Sequence, residues 1–182
     1  QGRETLERLG LAHLEGRLIE RSRYMAQVFW RVIMEEARRQ PDNSGVCMWN
    51  FFRCTLNNSG LIDDFARSFD MDPAALRRGP ASPVAVLIDC GFGGRNLLAG
   101  STVGFAVTVS NFGGAPVRDA VLEWRFGELT GKLGGIAVHN GGCDEVGRIV
   151  FTVPVLPNPR KQQLQLILKS EGTVLSENSF AF

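Results

Sequence analysis

The sequence predicts an α+β chain in two parts, with helices and one buried strand over residues 1–79 and an antiparallel β-sandwich over residues 80–182. Two observations lead to this prediction. Apolar residues recur with a helical period in the first part, and from Pro83 onward they recur with a period of two. Turn residues also divide the second part into short segments of similar length. The period changes at Arg78-Gly79-Pro80, where we place the domain boundary.

An amphipathic helix is predicted over residues 17–39. Its apolar residues follow the i, i+3/i+4 rule, and arginines, among them Arg38, occupy the opposite side. The apolar positions are Leu18, Met25, Val28, Phe29, Val32 and Ile33. Pro41-Asp42-Asn43 follows, and a proline there is expected to end the helix.

The run SGVCMWNFF over residues 44–52 is continuously apolar and follows turn residues. This pattern is typical of a strand buried on both faces of a parallel sheet. A long helix followed by such a strand is half of a βαβ unit, which cannot close a core by itself. We therefore expect partner elements outside the chain and a poorly folded fragment 1–79. Because the chain begins with Gln1, we also expect it to be a segment of a longer protein.

Short strands with alternating apolar residues fill the second part. They are predicted over residues 83–89, 103–110, 119–126, 147–153, 162–169 and 174–182, with a weaker strand over 132–139. Six or seven short strands in about 100 residues, with no helix between them, predict an immunoglobulin-like sandwich. Trp124 alternates with Leu122 and Phe126, so we expect its side chain in the core.

Charge and composition exclude several classes of function. The chain has 20 basic and 19 acidic residues, so it offers neither a basic field for nucleic acid nor a polybasic membrane patch. It also lacks an apolar run of about 18 residues that could cross a membrane. We expect no nucleic-acid partner and no membrane partner.

The cysteines, histidines and glycines point to no cofactor. Cys47, Cys54, Cys90 and Cys143 form no C-x₂-C pair, and the two histidines are far apart, so we expect no metal site. The glycine-rich stretch 91–94 precedes no helix that could hold a phosphate, which argues against a nucleotide. Widely spread cysteines favour buried free thiols and a reducing, cytoplasmic compartment, while a secreted location stays open.

Three groups of short sequence motifs follow one another along the chain, and their order is more specific than any one motif. They are MEEARRQ with SGVCMWN, then Gly60-Leu61-Ile62-Asp63 with Pro73-Ala74-Ala75-Leu76, then a sandwich that opens at Pro83-Val84 and contains Val109-Ser110-Asn111-Phe112, Leu122-Glu123-Trp124 and Leu156-Pro157. In this order they resemble the end of a glycoside hydrolase of family 2, the β-galactosidase, β-mannosidase and exo-glucosaminidase type. The resemblance covers about residues 17–182. It departs from the family at Arg53-Cys54-Thr55-Leu56, where a Trp-Pro pair is usual, and in the absence of the lysine of Pro-Lys-Pro-Ala.

The resemblance implies that residues 1–79 are the last helices and the eighth strand of a (β/α)8 barrel. It further implies a retaining glycosidase with two carboxylates roughly 5–5.5 Å apart. In the family these follow the fourth and seventh strands, so we expect them before Gln1 and expect this segment alone to be inactive. The implied partners are a carbohydrate substrate and the rest of the barrel. A homo-oligomer contact through the sandwich stays open.

Trp49 and Asn50 are the candidate substrate-binding residues. Trp49 would end a barrel strand on the face where barrel active sites are built, and its ring could stack on a sugar. It could equally be a core residue that packs on the last helix. Asn50 could donate to a sugar hydroxyl or cap the loop.

Other polar residues are weaker candidates for a catalytic or ligand-binding role. Four early glutamates, Glu4, Glu7, Glu15 and Glu20, lie in a charged stretch typical of a solvated helix face. Asp63 and Asp64 are adjacent, so on an extended segment their side chains would point apart. His139 lies beside Asn140-Gly141-Gly142 and is expected in a surface loop.

A second class of function stays open: a non-catalytic carbohydrate-binding or protein-binding sandwich with a helical connector. Sandwiches that bind glycans usually carry several exposed aromatic side chains on one face. Here Trp124 and most phenylalanines fit inward-pointing positions.

Overall fold

A computed structural model of the 182-residue chain describes residues 2–40, 42–43, 45–47, 73–91 and 93–182. The chain forms two compact units. One contains Gln1–Ile33 and Val46–Asp72, and the other contains Met34–Gly45 and Pro73–Phe182. The predicted strand over 44–52 lies mostly outside the described residues. Of its residues, Gly45, Val46 and Cys47 are described, and they are exposed and lie in no strand.

The described part of the chain contains the helices α1 (Gly2–Arg8), α2 (Glu15–Arg39) and α3 (Pro73–Arg78), with 3-10 turns at Ala12–Leu14 and Gly93–Arg95. The helix predicted over 17–39 is confirmed as α2 and begins two residues earlier. Asn43 caps its end, because its amide donates to the carbonyl of Ala37 at 3.2 Å. None of the helices within the described residues has both the length and the apolar character of a membrane span.

Part of the apolar face of α2 is exposed in this chain. Leu18, Met25 and Phe29, spaced by seven and four residues on one side of the helix, are 46%, 52% and 55% exposed. We call these three residues the apolar stripe of α2. The other predicted apolar positions of the helix are half-buried. The sequence pattern indicates that this face of the helix should be fully buried. In the structure the face is buried only in part.

Within the described residues, seven strands form two antiparallel sheets, which confirms the predicted β-sandwich. The first sheet has the order β1-β2-β5 and the second has the order β4-β3-β6-β7. The strands are β1 (Val84–Ile88), β2 (Thr102–Asn111), β3 (Val117–Phe126), β4 (Leu129–Val138), β5 (Gly142–Thr152), β6 (Gln163–Ser170) and β7 (Thr173–Ala181). In an immunoglobulin constant domain the fourth strand joins the sheet of the first two strands, whereas here β4 pairs with β3. The immunoglobulin-like classification stays a prediction.

Alternate side chains of both sheets meet in one hydrophobic core. Aromatic rings fill one part of it: Phe126 stacks on Phe151 with 4.8 Å between ring centroids, and Trp124 stacks on Phe151 at 5.8 Å. Trp124 is half-buried against this cluster, so its predicted inward orientation is confirmed. Its indole lies across Gly131 of the neighbouring strand, where a β-carbon would come within 2.5 Å of the ring. Gly131 therefore makes room for the tryptophan.

Two β-bulges explain where the sequence pattern was weakest. In β5, Val146 is an extra residue between the positions that pair with Val107 and Thr108, so the alternation fails there. The strand predicted over 147–153 therefore begins earlier, at Gly142. In β4, two glycines lie opposite one residue of β3, and Gly135 has φ of 67°. The weaker strand predicted over 132–139 is a full ten-residue strand.

Polar side chains of β7 close the free edge of β1. The amide N–H of Val86 donates to the hydroxyl of Ser176 at 3.2 Å, and the amide of Asn178 donates to the carbonyl of Val86 at 2.8 Å. These groups belong to opposite sheets, and all three residues are buried. Side chains thus satisfy the backbone groups that a further strand would otherwise pair with.

A glutamate between two lysines lies on the outer face of the second sheet. Lys132 of β4 donates to one carboxylate oxygen of Glu123 at 2.8 Å, and Lys169 of β6 donates to the other at 2.6 Å. The hydrogen bonds from Lys132 and Lys169 lower the pKa of Glu123 to about 2. The charges link three neighbouring strands across the solvent-facing side.

Acid should weaken this contact in a defined pH window. Because the pKa of Glu123 is lowered on folding, its stabilising contribution is complete above its ordinary pKa of 4.5 and is lost as the pH falls from there to about 2. The difference in unfolding free energy between the native chain and Glu123→Gln should therefore shrink between pH 5 and pH 2. Denaturant titrations at several pH values measure it, with the exposed Glu128→Gln as the matched control. A difference that does not change over this range would contradict the assignment.

Candidate functional site

The two candidate substrate-binding residues, Trp49 and Asn50, lie outside the described residues. So do Asp63 and Asp64. Their proposed roles therefore stay predictions.

Glu4, Glu7 and Glu20 are exposed on the helices, and Glu15 is half-buried. Glu7 accepts a hydrogen bond from Arg3 at 3.3 Å, and Glu15 lies 4.0 Å from the same guanidinium. A groove of about 690 Å³ runs beside them and is lined by Glu15, Leu18 and Ile19 among others. The carboxylate of Glu7 is exposed to solvent next to an arginine, which agrees with the predicted solvated face.

A set of polar contacts within the second unit joins the end of α2 to the sandwich. We call it the helix–sandwich joint; it consists of Arg38, Arg39, Ser82, Pro83, Ile88, Ser110, Phe112 and Cys143. Arg38 is central. Its Nη1 donates to the carbonyl of Ser82 at 2.7 Å, and its Nη2 donates to the carbonyls of Pro83 and Ser110 at 3.0 Å each. The guanidinium carbon also lies 5.6 Å from the centroid of the Phe112 ring.

Strand pairing brings the three carbonyl groups to one place. Val84 at the start of β1 pairs with Asn111 at the end of β2, and Ala85 pairs with Ser110, so Ser82 and Pro83 lie beside the last residues of β2. The N–H of Phe112 donates to the Pro83 carbonyl at 2.9 Å and holds the two segments together. Burial lowers the pKa of Arg38, but a guanidinium stays protonated at physiological pH. The site is thus a permanent cation held by backbone dipoles.

Arg39 extends the joint along β1. Its guanidinium donates to the carbonyl of Ile88 at the end of that strand and also pairs with Glu36. Together the two arginines place the end of α2 along the whole of β1. β1 is buried along its whole length, including at Ala85 and Leu87, which are not part of the core cluster between the sheets.

Cys143 caps the end of α2. Its thiol donates to the carbonyl of Arg38 at 3.1 Å and lies 3.6 Å from that of Arg39. The last carbonyls of a helix have no partner within the helix, so a thiol there satisfies groups that would otherwise be unpaired. Burial raises the pKa of Cys143, which keeps the thiol protonated and able to donate.

The prediction of buried free thiols is confirmed in part. Cys90 and Cys143 are free and half-buried, but Cys47 is free and exposed. Cys54 lies outside the described residues.

Asn111 organises the loops at the same end of the sandwich. Its fully buried amide donates to the carbonyls of Ala115, Val138 and His139 at 2.9–3.2 Å, while its Oδ1 accepts from the N–H of Gly113 at 3.1 Å. One side chain therefore ties the β2–β3 loop to the β4–β5 turn. His139 is exposed, as predicted, and lies 3.8 Å from Asp144.

A second groove, of about 360 Å³, opens between the loops 96–99 and 153–162. Leu97, Phe126, Val153 and Phe182 line it together with prolines and leucines of these loops, and its polar rim consists of asparagine, glutamine and arginine side chains. None of the described residues that line it is acidic. In the parts of the chain that the structure describes, no three His, Cys, Asp or Glu side chains are grouped so that they could hold a metal ion.

Sequence reasoning missed the residues that matter most at the joint. Arg38 was placed on the polar side of the helix, and Asn111 was noted only as part of a sequence landmark. The available signal was a pair of arginines in the last turn of a helix, a position that often faces carbonyl groups. Nothing in the sequence shows which carbonyls they reach.

Similar folds occur among solved structures. A complex of exo-chitosanase CsxA from Amycolatopsis orientalis with PNP-β-D-glucosamine matches 87% of this chain with a TM-score of 0.59 and 13% identity, and a second crystal structure of that enzyme matches 87% at 0.58 and 15%. A structure described as the exo-β-D-glucosaminidase CsxA matches 83% at 0.56 and 14%. No family model and no curated protein matches the sequence.

These likenesses show a shared fold and no more, because the identities are low. The chain spans 17–18% of the length of the matched enzymes. The range 80–182 is little more than half of this chain, so a match over 87% extends into residues 1–79 as well.

The three described cysteines should react at different rates. Cys47 is exposed, whereas burial raises the pKa of both Cys90 and Cys143 and keeps their thiols neutral and shielded. Because the thiolate is the reacting species, iodoacetamide at pH 7.5 should modify Cys47 first. Peptide mass spectrometry after timed quenching measures each site separately and resolves Cys54 from the others. The denatured chain, in which the rates should converge, is the control; equal rates in the native chain would refute the burial assignments.

Proposed function

We propose that this chain is the C-terminal part of a retaining glycoside hydrolase of the family 2 type. Residues 1–79 would be the last helices and the eighth strand of its (β/α)8 barrel, and residues 80–182 an immunoglobulin-like sandwich that supports the barrel. The two catalytic carboxylates would lie outside this chain. The substrate would be a carbohydrate with an O-glycosidic bond.

The match to exo-chitosanase over 87% of the chain carries this proposal. A β-sandwich alone is a common architecture that serves many unrelated functions, so a likeness confined to residues 80–182 would mean little. Here the likeness includes part of the helical range, in the same order along the chain as in the sequence resemblance. Helix and sandwich together are a more specific combination than either one.

The apolar stripe of α2 supports the barrel assignment for the helical part. Leu18, Met25 and Phe29 are about half exposed, although large apolar side chains on one helix face are normally buried. In a (β/α)8 barrel, each outer helix packs such a face on the strands. The rest of the barrel would cover this stripe.

The helix–sandwich joint suggests what the sandwich contributes. It fixes the end of α2 through Arg38 and Arg39, and the segment with Trp49 and Asn50 begins only a few residues later. We infer that the sandwich holds the last barrel elements in position. Trp49 would stack on a sugar ring and Asn50 would donate to a hydroxyl, next to catalytic groups from the rest of the barrel.

The alternative, a non-catalytic binding sandwich, finds less support. Glycan-binding sandwiches present aromatic platforms, but among the described residues of 80–182 Phe112 is the one large aromatic side chain that is strongly exposed. Its ring is engaged by Arg38. The two rings among the described residues of the second groove, Phe126 and Phe182, belong to or pack against the core. Retention of the 182-residue chain on immobilised glycans would favour this alternative.

Activity should require more than this chain. The full-length protein should release p-nitrophenol from at least one of the β-D-glucosaminide, β-galactoside and β-mannoside substrates, and NMR should show that the first-formed sugar retains its anomeric configuration. The 182-residue chain should release none, because the carboxylates would be missing. Turnover by the short chain, or inversion by the full-length protein, would overturn the proposal.

Trp49 can be tested in the same full-length enzyme. Trp49→Ala should lower kcat/KM by about tenfold, which corresponds to about 1.4 kcal/mol, because the stacking surface is lost. Trp49→Phe keeps an aromatic plane and should lose less. Both variants should melt within a few degrees of the parent. A Trp49→Ala enzyme that melts normally and keeps its full kcat/KM would assign this residue to packing.

A further inference from the structure

The acceptors around Arg38 form a cage. Three carbonyl oxygens, from Ser82, Pro83 and Ser110, lie within 3.0 Å of its two terminal nitrogens, and the ring of Phe112 lies to one side. Ser82 and Ser110 are buried, at 5% and 0% exposure. All of these acceptors belong to the sandwich, whereas the cation comes from α2.

We propose that this cage is a guanidinium-specific binding site of the sandwich, which Arg38 of the same chain occupies. Its ligand class is a planar guanidinium ion on a short alkyl stem. The inference does not depend on the proposed glycosidase function. The sandwich would thereby recognise the end of a helix that carries an arginine in its last turn.

The geometry selects a guanidinium over an ammonium ion. Nη1 and Nη2 lie about 2.3 Å apart in one rigid plane and each carries two protons, so one ion can reach three divergent carbonyls and still lie near a ring. A lysine ammonium is a compact, strongly hydrated point charge that would have to leave water to reach the same place. The substitution Arg38→Lys would keep the positive charge but lose the two terminal nitrogens that donate to separate carbonyls.

The cage needs a donor to be stable. Two of its carbonyls come from buried residues, Ser82 just before β1 and Ser110 near the end of β2, where few water molecules can replace a lost donor. Removal of the guanidinium leaves these acceptors short of partners and loosens the end of α2. A free ion of the same shape should therefore restore what the side chain supplied.

Chemical rescue tests the proposal in the 182-residue chain. Arg38→Ala removes the atoms that N-ethylguanidinium contains, so the thermal midpoint of the sandwich, followed by its amide NMR signals, should fall by about 5–10 °C and recover by about half at millimolar N-ethylguanidinium. Ethylammonium at equal ionic strength should restore none of the loss. Arg118→Ala, which alters an exposed arginine of β3, should change little and respond to neither ion. Equal effects of the two ions, or no loss in Arg38→Ala, would overturn the proposal.

Two further measurements cover the case in which Arg38→Ala does not fold. Arg38→Lys keeps a charged stem and should fold, with a midpoint below that of the native chain; a midpoint equal to the native value would contradict the proposed specificity. In the native chain, the Nη protons of Arg38 should exchange with water at least about tenfold more slowly than those of Arg118, since they donate to three backbone carbonyls of the sandwich. Exchange at the same rate would mean that the three carbonyls do not hold the ion.

Discussion

One half-buried guanidinium, which donates hydrogen bonds to three backbone carbonyls, joins the end of α2 to the sandwich within the second unit. Arg38 reaches the entry to β1 and the exit of β2, and Arg39 reaches the other end of β1. These hydrogen bonds join the end of α2 to both ends of β1, and they fix the position of the helix end relative to the first sheet.

Other side chains also form hydrogen bonds to backbone groups that are not paired between neighbouring strands. Asn111 ties two loops through four hydrogen bonds, Ser176 and Asn178 close the free edge of β1, and the Cys143 thiol caps α2. Each of these side chains is short, polar and at least half-buried, and each satisfies backbone groups that water cannot easily reach. Such contacts fix loop and edge geometry more closely than apolar packing can, because a hydrogen bond has a direction.

The two parts of the chain differ in where their large apolar side chains lie. The sandwich has most of its large apolar side chains between two sheets, while α2 exposes the three residues of its apolar stripe. Under the proposed function the difference has one explanation: the sandwich completes its own core, and the helical part belongs to a core that is shared with the rest of a barrel. The joint would then connect a self-contained element to one that needs partners.

Local periodicity and turn residues were enough to predict the β-sandwich, nearly all of its strands and the length of α2, because these features are encoded directly in neighbouring residues. Alternation also placed Trp124 inside. The same reasoning underestimated β4 and the start of β5, since a bulge interrupts the alternation on which strand prediction depends. Only the folded chain shows that Arg38 donates to three carbonyls of the sandwich and that Cys143 caps a helix more than one hundred residues away in sequence. It also shows that β1 is buried along its whole length. These contacts depend on distances between segments far apart in the chain, and no local pattern of residues carries that information.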